Sequence, residues 1–104
     1  MVNQELLSAS LEQIGDSTTV RLAGEIDMSS VSLLADCLRR AFDKGPLGSI
    51  TVDLTEVSFI DCAGLRALIS AERLARRNDY RVRFKCGAAL RRLIEASQPG
   101  IACD

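Results

Sequence analysis

The residues with the most chemical potential in this chain are a carboxylate and a thiol side by side, Asp61-Cys62, followed by Ala63-Gly64-Leu65-Arg66. Before them Ile50, Val52 and Leu54 alternate as a strand does, and after them Leu65, Leu68, Glu72 and Ala75 recur on one helical face. The pair therefore falls where a strand hands over to a helix. Asp61 is the expected N-cap, its carboxylate accepting from the free backbone N–H groups of the first turn. The same N–H groups and the positive end of the helix dipole favour an anion at Cys62, whether a thiolate or an oxidised sulfur.

Two readings of Cys62 stay open on these grounds. Free cysteines are often buried and inert, so it can be a small packing residue at the helix start. A helix N-terminus also lowers a thiol pKa from about 8.5 towards neutrality, although the Asp61 carboxylate opposes this, so a regulatory thiol is credible. Oxidation of Cys62, or a disulfide from it to Cys103 in a loosely ordered tail, would change the same surface. Gly64 costs about 1 kcal/mol relative to Ala inside a helix, so the close approach of a partner's backbone is a reason for it. Phe59 is expected to point inward. Ser58, Phe59 and Ile60 nonetheless occupy the carboxyl end of a strand beside a helix start, the usual crevice for ligands in α/β sheets.

The elements that position this segment are legible on both sides of it. Leu7, Ala9 and Leu11 alternate with polar neighbours, Gly15-Asp16 punctuates, and Val20, Leu22 and Ile26 resume the period of two, which predicts an opening hairpin. Val31, Leu34, Ala35, Leu38 and Phe42 predict a helical stripe, capped by Asp27, Ser29 or Ser30 and stopped by Gly45-Pro46. A helix from Cys62 to about Arg77 ends at Asn78-Asp79, and Tyr80, Val82, Phe84 and Cys86 then alternate against Arg81, Arg83 and Lys85. That alternation predicts a sheet with one wet face, and the basic row reads as solvated rather than as a nucleic-acid patch. A last helix is expected from Ala88 to about Ser97. A helix between neighbouring strands implies parallel crossovers.

The 104 residues predict one domain that buries roughly 60–70% of its unfolded surface. Thirteen basic and fourteen acidic residues nearly cancel, which argues against nucleic acid as a partner. The start Met1-Val2-Asn3-Gln4-Glu5 lacks the segments of a signal peptide, and no apolar run approaches the 18 or so residues of a membrane span, so a cytoplasmic protein is expected. Cys37, Cys62, Cys86 and Cys103 fit neither a CxxC pair nor a zinc ribbon, and their expected state is the reduced thiol. With no histidine, Cys-His catalysis and His-ligated metals are excluded within this chain. No cofactor is expected.

The run from Val52 through Asp61-Cys62-Ala63-Gly64-Leu65 resembles the signature of the STAS family, domains named for sulphate transporters and anti-sigma factor antagonists, in which a strand precedes D-S-S/T-G-L at the start of the second helix. Gly24-Glu25-Ile26-Asp27 is similar to the family's G-E-I/L-D segment, and Ala89-Leu90-Arg91-Arg92-Leu93-Ile94-Glu95 to its last helix. The resemblance implies an α/β fold with a mixed sheet of four to five strands and helices packed on one face. It also implies a bacterial, non-enzymatic antagonist that binds a serine-kinase-type anti-sigma factor, is a monomer when free, and releases a sigma factor for transcription, as in stress responses. The implied partner surface is Glu25, Asp27, Ser58, Phe59, Ile60, Asp61, Cys62, Ala63, Gly64, Leu65 and Arg66.

Members controlled by phosphorylation carry the accepting serine where this chain has Cys62. A phosphate there adds about −1.5 to −2 charges and ejects the partner. A third reading of Cys62 follows: it makes the site non-phosphorylatable and the protein permanently competent to bind. Two alternatives of function stand beside the antagonist. One is a STAS subunit of a membrane transport complex, bound to an ATPase. The other is a thiol redox enzyme using Cys62, against which the missing histidine base and the missing nearby resolving cysteine both speak.

Overall fold

The computed structural model describes residues 7–44, 48–97 and 103. In chain order the elements are β1 (Ser8–Ile14), β2 (Ser17–Ile26), α1 (Val31–Lys44), β3 (Ser49–Ile60), α2 (Cys62–Arg77), β4 (Arg81–Cys86) and α3 (Ala88–Ser97). The expected helix stop at Gly45-Pro46, the start at 1–6 and the tail other than Cys103 lie outside the described residues. The sheet runs in the order β1-β2-β3-β4, with β1 antiparallel to β2 and the other two pairings parallel. Gly15, with φ at 59°, makes the tight turn of the opening hairpin, a conformation open to glycine at little cost. Parallel neighbours need a long crossover, and α1 and α2 supply one each.

Register gives the sheet two different faces. Val20, Val52 and Phe84 stand side by side across β2, β3 and β4, all buried. One residue along, Arg21, Asp53 and Lys85 form the next row on the opposite face. There the Arg21 guanidinium lies 2.7 Å from Glu12 and 4.0 Å from Asp53. The wet face that β4 advertises in sequence thus extends across the sheet.

The apolar face is covered by α1 and α2, which also pack on each other, while α3 packs against β3 and β4 with Leu90 buried. The buried stripe of α1 is Leu34, Cys37, Leu38, Ala41 and Phe42; Val31 is half-buried and Ala35, expected inside, is exposed. A repeat of 3.6 residues leaves the edge of a stripe free to fall on either side. The sheet lies on the Cys37 and Ala41 side, and Ala35 faces the cleft towards α2.

The stop of α2 at Asn78-Asp79 has a specific geometry. Asp79 sits in the left-handed region at φ 62°, and the Tyr80 N–H donates back to Ala75 O at 2.9 Å, closing a Schellman motif. Tyr80 then stacks on Phe42 with ring centroids 5.3 Å apart and donates its hydroxyl to Phe42 O at 2.7 Å, tying the end of α2 to α1.

The cysteines depart from expectation. Cys86 and Cys103 form a disulfide, with Cα atoms 5.5 Å apart and a sequence separation of 17. Cys103 reaches that position because it pairs alongside Phe84 on β4. It is therefore neither a loose thiol nor a partner for Cys62. Cys37 is a buried free thiol, which burial pushes to higher pKa, and Cys62 is free and exposed.

A non-glycine residue in the left-handed region costs about 1 kcal/mol, less for Asp than for most. Asp79→Gly should raise stability by roughly 0.5 kcal/mol, read as a higher thermal midpoint, while Asp79→Val should lower it.

Candidate partner-binding site

Strand β3 changes its period on the way to Asp61. Ile50, Val52 and Leu54 are buried at a spacing of two, but the next buried positions are Val57 and Ile60. Two register shifts against β2 cause this, each placing an extra residue on β3. The first shift brings Val57 inward and the second restores the original phase, so Ile60 is buried and Phe59 points outward, 47% exposed, contrary to the expected inward position. Gly24 sits at the second shift with φ at 111°, a backbone conformation that side chains resist, so glycine opens the Gly24-Glu25-Ile26-Asp27 segment for a steric reason. The Ser58 hydroxyl donates to Gly24 O at 3.3 Å.

The two segments that the sequence singles out run side by side. Glu25 lies opposite Phe59 and Ile26 opposite Ile60, and the Asp61 N–H donates to Ile26 O at 3.1 Å. Asp61 is the N-cap of α2 and accepts from the Gly64 N–H at 3.0 Å. After β2 a second corner forms, in which Asp27 accepts from the Ser29 N–H at 2.9 Å and from its hydroxyl at 2.6 Å. The buried Ser30 hydroxyl accepts from the Asp27 N–H and donates to Glu25 O at 2.8 Å, and Ser30 O accepts the first helical bond of α1. Of the three N-cap candidates, Ser30 holds the position and Asp27 with Ser29 braces the turn before it. The Ser29 hydroxyl and N–H hold the Asp27 carboxyl below the usual range, against a smaller opposing effect of burial.

Accessibility divides the expected surface. Ser58, Phe59, Cys62 and Arg66 are exposed; Glu25, Asp27, Asp61 and Ala63 are half-buried. Ile60, Gly64 and Leu65 are core residues and face no partner. A Cβ on Gly64 would lie 2.5 Å from Ile26 Cγ2 and 2.8 Å from Ile60 Cγ1. The group that approaches this glycine therefore belongs to the chain's own sheet and not to a partner, which corrects the expectation. Met28, 79% exposed at the same end of the sheet, is a surface residue that the periodicity does not reveal. Its signal is only that a large apolar residue follows a strand-ending Asp.

Chemically the arrangement offers contact surface. Phe59 and Met28 present apolar area, and Glu25, Asp27 and Asp61 present carboxylates at the same end of the sheet as the free Cys62 thiol. Among the described residues no three His, Cys, Asp or Glu side chains gather as metal ligands would, and no helix is long and apolar enough to cross a membrane.

A family model for the STAS domain matches residues 8–98. Comparison with curated protein sequences finds no match. Among solved structures, an anti-sigma factor antagonist from Mycobacterium paratuberculosis is 25% identical with a TM-score of 0.73, over 94% of this chain and 83% of that one. The anti-sigma factor antagonist SpoIIAA of Bacillus, in its unphosphorylated form, is 20% identical with a TM-score of 0.70, over 93% of this chain and 87% of that one. The murine anion transporter Slc26a9 contains the same fold at 12% identity and a TM-score of 0.69, over 94% of this chain and 19% of that one. The expected α/β fold with its mixed sheet is thereby shown.

Two outcomes follow from the geometry. Gly64→Ala should destabilise by about 1–3 kcal/mol because Ile26 and Ile60 are branched and fully packed, and Gly64→Glu should prevent folding; denaturant titration reads both. Asp27 titrates low because its ionised form is hydrogen-bonded, so its contribution to stability holds at neutral pH and is lost as pH falls through the depressed folded value. Ser29→Ala should return the Asp27 titration, followed by carboxyl NMR, towards the ordinary range.

Proposed function

The chain belongs to the STAS domain family, and from that premise we propose that it is an anti-sigma factor antagonist, a non-enzymatic module that binds an anti-sigma factor and so frees a sigma factor for transcription. The observation that carries the reading is the juxtaposition of Gly24–Asp27 with Ser58–Cys62, which gathers Phe59, Cys62 and three carboxylates at the start of α2. The likeness to an antagonist over nearly the whole of both chains supports it. The partner is a serine-kinase-type anti-sigma factor of a bacterial cytoplasm, met by a monomer.

Cys62 is exposed at the first residue of α2, the position that the family resemblance gives to the phosphorylated serine. A thiol there is not the hydroxyl acceptor of such a kinase, so binding is constitutive or set by the oxidation state of Cys62. Disulfides are uncommon in the cytoplasm. The Cys86–Cys103 bond stands level with Leu54, about four steps of the β2 ladder and about 13 Å from Ile60, so its reduction leaves the surface in place. The likeness to a transporter's domain supports a second reading, a subunit of a transport complex. Capture of partners from native lysate separates the two, since one predicts a kinase-like regulator and the other a transport ATPase.

Phe59→Glu and Met28→Glu should each weaken the anti-sigma factor at least about tenfold by titration calorimetry, with thermal unfolding nearly unchanged because both side chains are exposed. With ATP and a kinase-type anti-sigma factor, intact mass should show phosphate on Cys62→Ser and none on the wild type. Labelling of the wild type at Ser58 or Thr55 would place the switch elsewhere, and equal affinity of both charge variants would remove the surface.

A further inference from the structure

The outer side of α1 and α2 carries an apolar groove that the site at the carboxyl ends of the strands does not use. Leu38 and Phe42 form its floor, Ala35, Ala67 and Ala71 its walls, and Leu74, 46% exposed, its lip; it encloses about 260 Å³. Alanine walls let another backbone come close, and a shallow trough between two helices has the shape that accepts a third. The groove runs along α2 from Ala67 to Leu74, and this lip lies twelve residues and about 18 Å along the helix axis from Cys62.

Charge says what the third helix carries. Arg66, Arg73 and Arg77 follow one another at i, i+7 and i+11 on α2, a row beside Ser70 and Leu74. None of the three makes an ion pair with a described residue. The α2 acid Glu72 is bound to Arg76, and on α1 Asp36 is bound to Arg39, which itself lines the groove. Asp43 is the remaining acid on these two helices. A row of like charges beside an apolar trough repels itself and attracts the opposite sign.

We infer that this groove docks an acidic amphipathic helix of a protein partner, with apolar side chains against Ala67, Ala71 and Leu74 and carboxylates against Arg73 and Arg77. A second copy of the chain offering the same face is disfavoured by charge, because it would add another arginine row to the contact while Asp43 is the one acid of these two helices outside a described ion pair. The inference is independent of the anti-sigma reading, since Ala67, Ala71, Leu74, Arg73 and Arg77 lie outside that surface and the chemistry is different.

The test is fluorescence anisotropy of the full chain with a labelled synthetic helix of about 16 residues, leucine on one face at i, i+4 and i+7 and glutamate elsewhere. A control peptide keeps the leucines and replaces glutamate by lysine. Expected is saturable binding of the acidic peptide alone, weaker at high salt, and at least about tenfold weaker for Leu74→Ser and for the double variant Arg73→Glu with Arg77→Glu. The exposed Arg92→Glu on α3 should bind as the wild type does, and melting curves check that every variant is folded. No binding up to about 1 mM, equal binding of the lysine peptide, or indifference to the groove variants overturns the proposal. So does self-association in sedimentation equilibrium that Leu74→Ser abolishes, or uptake by phosphatidylglycerol vesicles that outcompetes the peptide.

Discussion

The first turn of α2 rests on the side chains of Ile26 and Ile60 through a residue with no side chain of its own, and the whole carboxyl end of the sheet takes its shape from that seat. Ile26 and Ile60 are the last paired residues of β2 and β3, and the Asp61 N–H extends the pairing by one bond to Ile26 O. With Gly64 pressed on both isoleucines, Asp61 can reach back only to the Gly64 N–H, and Cys62 is left facing solvent. The cap and the exposed thiol are consequences of one close contact at the end of the strand that leads into it. Surface residues alternate with core residues along this short segment, so the site is continuous with the core.

The rest of the molecule divides labour by face. One side of the sheet holds the apolar rows that bury against α1 and α2, and the other holds a charged lattice of Glu12, Arg21, Asp53 and Lys85. Thr55, by its hydroxyl first, bonds the Asp53 carboxylate and keeps it ionised below the usual range, with Lys85 and Arg21 helping by charge and burial opposing. Exposed pairs of this kind add little stability singly. Their value lies in keeping that face wet, so that the apolar face has no competitor as the core.

Cysteine placement separates three roles in one chain. Cys37 is interior packing, Cys86 and Cys103 join a distant residue to β4, and among the cysteines Cys62 alone presents a free thiol at the surface. Nothing in their spacing distinguishes them. A partner that meets the α2 start meets sulfur where the family resemblance expects a hydroxyl, and the difference is one of chemistry and not of shape.

Periodicity and turn residues in the sequence suffice for the order of elements, the hairpin at Gly15, the parallel crossovers and the Asp61 cap, because each is decided within a few residues by backbone sterics and hydrogen bonding. The two motifs at Gly24–Asp27 and Asp61–Leu65 also stand out as a candidate site without any coordinates. What the sequence could not settle depends on contacts between distant segments. Val57 is buried because β3 slips against β2, Gly64 is fixed by isoleucines on two strands, Ala35 is exposed because α2 and not the sheet lies on its side, and Cys103 finds Cys86 across the edge of β4. A pattern of alternation records which residues are apolar. The neighbour each one meets is a property of register and packing, and those exist only when the chain is folded.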